Sequence, residues 1–249
     1  KIRWISIGFL FVCLGWAPSL FGQDQQLVDS LTYVIREAQH DTSISNAYVL
    51  LSKTYFTSRP DTVSYLCQKA LNIIVQNTQK EDKYVNIRFL EIKTRALRIM
   101  GALLLYKGDF KNALYYMDES RQIHEKLGNK EGVGVAYFNS SSIFMSLGDT
   151  AKAMENIYKS LVIFRENNNQ IHISQCLITL GVIHEAKGNI TEAIDCLKES
   201  LKIKLELDDK RGIADIYNNL GVLYLGLNNL DTALTLLERA LPFYKEINY

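Results

Sequence analysis

Residues 214–240 read ADIYNNLGVLYLGLNNLDTALTLLERA, and residues 174–200 read SQCLITLGVIHEAKGNITEAIDCLKES. Set one above the other, 40 residues apart, Leu180-Gly181 falls on Leu220-Gly221, Gly188-Asn189 on Asn228-Asn229 and Ala193 on Ala233. The same frame runs back through Met100-Gly101 and Ser140-Ser141, Gly108-Asp109 and Gly148-Asp149, and Ala113 and Ala153. Leu97, Tyr137, Leu177 and Tyr217 head the four copies. A fixed period of this size marks a repeat architecture, in which each unit is a helix pair that buries its apolar face only against its neighbours.

The recurring residues have physical reasons. Gly108, Gly148 and Gly188 suit the left-handed backbone that ends a helix, and Asn228 is the usual second choice there. Asp109, Asp149 and Asp231, or Thr150, Thr191 and Thr232, can accept from free N–H groups of the next helix. The alanines, with Gly101, Ser141, Gly181 and Gly221, are expected where two helices cross closely. Polar stretches at Leu127–Lys130, Asn167–Gln170 and Leu207–Lys210 read as loops between units. The units are placed at 94–127, 134–167, 174–207 and 214–247, within a regular region 91–249.

Residues 23–90 carry weaker helical patterning. Leu27, Leu31, Val34 and Ile35, then Tyr48, Leu51 and Tyr55, then Tyr65, Leu66, Ala70, Leu71 and Ile74 form stripes at helical spacing. Thr57–Asp61 reads as a turn, with Pro60 ending one helix. The region is expected to be a degenerate terminal repeat. The chain of 249 residues holds three Pro, all expected outside helix interiors. Its net charge of +1 and lack of a basic cluster argue against nucleic acid as partner.

Lys1, Arg3 and the apolar run Ile5–Ala17, before Gly22-Gln23, read as a secretory signal peptide over 1–22. The run is too short to span a bilayer. It implies export, and in a bacterium a periplasmic location.

These residues resemble the tetratricopeptide repeat, whose pattern is a bulky residue, then Leu-Gly, Tyr, Gly, Ala and Ala at set offsets. The best match is Tyr217, Leu220-Gly221, Tyr224, Asn228, Ala233 and Ala240. The next is Leu177, Leu180-Gly181, His184, Gly188, Ala193 and Ser200. Two units depart from the pattern, at Ser140-Ser141 and Phe144 and at Met100 and Leu104. The period is longer than the common repeat of roughly 34 residues, as in kinesin light chains and bacterial signalling proteins. The resemblance implies an all-α, right-handed solenoid of stacked antiparallel helix pairs. A leader followed by such repeats also resembles the extracytoplasmic sensor half of certain bacterial membrane proteins. That implies a membrane tether and an output domain beyond residue 249. An exported adaptor of an envelope assembly is the alternative.

In the family, first helices line a concave groove that takes a peptide or protein. Carried over, the peptide-binding positions are Arg95 and Arg98; Phe138, Asn139 and Ser142; Gln175 and Thr179; and Asn218 and Asn219. An amide both donates and accepts, which suits Asn139 and Asn219 to gripping a peptide backbone. Phe138 and Ile178 could supply an apolar pocket. No cofactor is implied. His172 and Cys176, four apart with Cys196 elsewhere, make an incomplete metal set. Cys67, Cys176 and Cys196 are an odd number and read as small buried apolar residues. No nucleophile motif or phosphate loop is present, so the chain is not expected to be an enzyme.

Overall fold

A computed structural model describes residues 25–77 and 83–247. The expected signal peptide and residues 78–82 of the polar stretch Asn77–Asp82, which reads as a loop, lie outside the described residues. The described chain is all helix: α1 (Gln25–Glu37), α2 (Asp41–Thr54), α3 (Pro60–Asn77), α4 (Lys83–Tyr106), α5 (Phe110–Lys126), α6 (Lys130–Ser146), α7 (Thr150–Glu166), α8 (Gln170–Ala186), α9 (Ile190–Glu206), α10 (Lys210–Gly226) and α11 (Leu230–Glu246).

From α5 onward every helix has 17 residues. The cause is one turn used repeatedly. A residue with left-handed backbone, Gly108, Gly128, Gly148 or Gly188, or else Asn168, Asp208 or Asn228, stops the helix. Around Gly128, the Asn129 N–H donates to the His124 carbonyl and the Gly128 N–H to that of Glu125. An Asx residue then accepts from the backbone N–H three positions on: Asp109 from Asn112, Asn129 from Gly132, Asp149 from Lys152, Asn169 from His172, Asp209 from Gly212 and Asn229 from Thr232. Asn189 makes no such side-chain bond.

Three expectations change here. The stretches read as loops between units are the same tight turn as Gly108-Asp109, and helices begin at Lys130, Gln170 and Lys210, ahead of 134, 174 and 214. The cap of the last helix is Asn229, neither Asp231 nor Thr232. Pro242 lies inside α11, and Pro60 opens α3 instead of ending the helix before it. A proline fits a first helical position, where its missing N–H has no partner to lose.

The helices form two compact units, one up to Leu147 and one from Gly148. In the first, α2 packs on α3 and α4 on α5, with α1 against α2 and α6 against α5. Phe89, Ile92, Ala96, Ile99 and Leu103 of α4 share a core with Val49 of α2 and Val63, Cys67, Ala70 and Ile74 of α3. In the second, α8 packs on α9 and α10 on α11, with α7 against α8 and α9 against α10. Ala193, Ile194 and Leu197 of α9 meet Ile216, Leu220 and Leu223 of α10.

The small residues act as their spacing implies. A Cβ on Gly181 would stand 3.2 Å from Leu197 Cγ and 3.4 Å from the Ala193 carbonyl oxygen. Ala113, Ala153, Ala193 and Ala233 are each wholly buried. A second seam joins each hairpin to the next helix, between positions eight apart. Gly132 accommodates the His124 imidazole and Gly212 the Lys204 stem, while His172 stacks on Phe164 at 4.4 Å between centroids. One side of each pair is large and the other small or flat, which lets successive elements close without voids. Stacked antiparallel hairpins of this kind are the α-solenoid fold.

Candidate binding face

The first helices divide by burial. On α6, Phe138, Asn139 and Ser142 are 3%, 4% and 5% exposed, and on α8 Thr179 is 1% exposed. The sequence placed these four on an open groove; the structure encloses them. Both helices are apolar around most of their circumference, with Ala136, Phe138, Ser141 and Ile143 buried on one and Ile173, Cys176, Thr179 and Ile183 on the other. A helix without a polar face is covered on more than one side. The Thr179 hydroxyl donates to the Gln175 carbonyl at 3.0 Å, a bond within its own helix. Asn139 buries its amide nitrogen with no acceptor in reach.

The remaining expected positions reach the surface. Arg95 and Arg98 on α4, Gln175 on α8 and Asn219 on α10 are half-buried, and Asn218 is exposed. On α10, Asn218 is joined at helical spacing by Val222 and Leu225, 49% and 45% exposed. Opposite them on the same helix, Ile213, Ile216, Leu220 and Leu223 are buried. The outcome is a strip on α10 of one amide and two aliphatic side chains.

Beside the strip, Tyr244 of α11 donates its hydroxyl to Asp215 of α10 at 2.9 Å. Burial raises the Asp215 carboxyl above its ordinary value, the Tyr244 bond and Arg211 opposing it. The equivalent positions in the first unit are Arg95 of α4 and His124 of α5, 120 residues or three repeats earlier. His124, on a second helix, was not among the residues picked out by sequence. Its signal was the shared position with Phe164, Lys204 and Tyr244.

Nothing in this set resembles a catalytic or metal centre. Among the described residues no three His, Cys, Asp or Glu side chains are grouped to hold a metal ion. Cys67 bonds Ser52 and Cys176 contacts Ser160, both buried. Burial pushes their thiols up to about 11 and about 12. Among the described residues no helix is long and apolar enough to cross a membrane.

Hairpins stacked in tandem, with polar and apolar side chains open on a first helix, define a repeat scaffold for binding proteins. Family models described as the tetratricopeptide repeat match residues 135–166 and 172–246, so these segments carry tetratricopeptide repeats. The solved structures agree on the fold. BtubC (BKLC) from P. vanneervenii is 17% identical, with a TM-score of 0.74 over 90% of this chain and 92% of that one. A Rap protein complexed with Competence and Sporulation Factor is 14% identical, with a TM-score of 0.65 over 89% and 70%. The Signal Transduction ATPase with Numerous Domains protein of Pyrococcus horikoshii, which has a tetratricopeptide repeat sensor, is 17% identical. Its TM-score is 0.60 over 97% of this chain and 38% of that one. No curated protein matches the sequence.

Proposed function

We propose that this protein is the ligand-binding input module of an exported bacterial signalling protein, taking a peptide or protein on its first helices. The open strip on α10 carries the proposal: Asn218, Val222 and Leu225 face solvent while Ile213, Ile216, Leu220 and Leu223 of the same helix are buried. An amide flanked by aliphatic groups offers hydrogen bonds to a backbone and an apolar seat for a side chain. Gln175 and Asn219 extend the polar character, and Arg95 and Arg98 give the first unit a face of its own.

Two relatives of the fold support this reading. The Rap protein was solved with Competence and Sporulation Factor, and the Pyrococcus protein uses its repeats as a sensor. The leader-like start at residues 1–22 supports export. An apolar strip also suits an adaptor; an output domain encoded together with these repeats would favour the sensor reading.

The test begins with selection of peptides from a displayed random library against the whole chain. Asn218→Ala with Val222→Asp is expected to weaken a selected peptide at least tenfold, with helical content unchanged by circular dichroism. Lys198→Ala, at an exposed position of α9, is expected to leave affinity within twofold. Equal losses for both variants, or none for the first, would remove the strip from the site.

A further inference from the structure

Helix α11 presents to solvent a face that its counterpart in the preceding hairpin keeps covered. On α9, Ile190, Ile194, Leu197 and Leu201 pack into one core with Ile216, Leu220 and Leu223 of α10. In the 40-residue register, Leu230, Leu234, Leu237 and Leu241 of α11 stand at those same four positions. Leu230, Leu234 and Leu241 are 61%, 60% and 54% exposed, against 7% for Ile194. Leu237 is half-buried because it rests on Gly221 of α10. The fully covered residues of α11 are Ala233 and Ala240. A stacked array normally turns a polar face to water, so this stripe is a seam with one side open.

The spacing of the stripe says what fits it. Its steps are four, three and four residues, so at 3.6 residues per turn the four leucines fall within an arc of about 60°. Leucine at such steps is the pattern by which two helices set side chains of one into gaps of the other. The stripe is also its own complement, since leucine on leucine about a two-fold axis makes the same contact from both sides.

Charge decides the direction. Asp231, Glu238 and Lys245 follow one another at seven-residue steps along one flank of the stripe, all exposed. In a parallel pair each would meet its like. In an antiparallel pair, with Leu230 on the partner's Leu241 and Leu234 on the partner's Leu237, Asp231 lies toward the end where the partner's Lys245 stands. That happens at both ends, and Glu238 alone lies toward its own kind. Opposite charges flanking an apolar stripe set orientation in this way.

We propose that two copies of this protein associate through α11, antiparallel about a two-fold axis, with the leucine stripe as the core of the interface. The contact does not draw on the binding role proposed above, so either can fail without the other. One pair of 17-residue helices covers less than the roughly 1,200–2,000 Å² of a standard interface, so the dimer is expected to dissociate on dilution.

Sedimentation velocity of the whole chain over about 2–500 µM tests it, in about 50 mM NaCl, where surface charges are weakly screened. The average mass is expected to rise from one chain toward two. Leu234→Glu with Leu241→Glu changes two exposed side chains, so helical content and melting should hold while the dissociation constant rises at least tenfold. Asp231→Lys is expected to weaken the dimer about two- to tenfold, and adding Lys245→Glu to restore it. A chain that stays monomeric across the range overturns the proposal and leaves the stripe to a helix of another protein or to a further repeat. A dimer that survives both leucine substitutions overturns it too, by placing the contact elsewhere. Failure of Lys245→Glu to offset Asp231→Lys would overturn the antiparallel arrangement.

Discussion

At the scale of single residues, the described cysteines follow their surroundings. Cys67 and Cys176 are buried beside serine hydroxyls, and burial raises both thiols, to about 11 and about 12. Only the thiolate is nucleophilic, so at pH 8 their reactive fraction falls by roughly 10²–10³ against a free thiol. Cys196 is half-buried and raised by the same cause, with Glu199, Asp195 and Glu192 adding to it. Ellman's reagent at pH 8 is therefore expected to label Cys196 first, with Cys67 and Cys176 reacting only on unfolding. Fast labelling of either buried thiol in the folded protein would contradict the burial described here. The sequence reading of these cysteines as small apolar residues needed only their place in the helical stripes. The reading of Asn139 as a surface amide failed because the same stripe logic cannot see coverage from a second side. Phe138 and Ser142 beside it were misread for that reason.

At the scale of elements, the turn and the seam decide where helices stop and how they meet. The turn recurs every 20 residues, yet glycine marks it only at Gly108, Gly128, Gly148 and Gly188. In the alternate turns Asn168 and Asp208 replace glycine at φ values of 54° and 50°. Without the glycine they read as ordinary polar loops. Local side-chain hydrogen bonding lets Asn and Asp take this backbone at modest cost. The seam was less legible still, because the residue types change between its copies: His124 with Gly132, Phe164 with His172, Lys204 with Gly212. Two glycine variants separate turn from seam. At Gly188, with φ of 78° and open space around it, alanine meets only backbone strain, about 1 kcal/mol. At Gly132 a Cβ would overlap the His124 imidazole, so Gly132→Ala is expected to cost more, about 1–3 kcal/mol. Adding His124→Ala to Gly132→Ala should recover part of that loss, and nothing at Gly188. Additive losses in urea denaturation of the double variant would mean the two residues do not share a seam.

At the scale of the whole molecule, stacking of like hairpins explains both what was readable and what was not. Period, helix content and the close crossings at Gly101, Gly181 and Gly221 follow from residues that repeat. The residues of the proposed binding face do not repeat; Arg98 and Asn218 stand at equivalent positions, three repeats apart, and share no chemistry. Periodicity therefore fixes the helices and leaves their open side chains to the structure. The central claim is that the guest lies on first helices. Hydrogen–deuterium exchange of the whole chain, with and without a library-selected peptide, tests it most directly. Added protection is expected on α4, α8 and α10, centred on Arg98, Gln175 and Asn218, with α5, α9 and α11 nearly unchanged. Protection concentrated on α5, α9 and α11, or a selected peptide that protects no first helix, would contradict it.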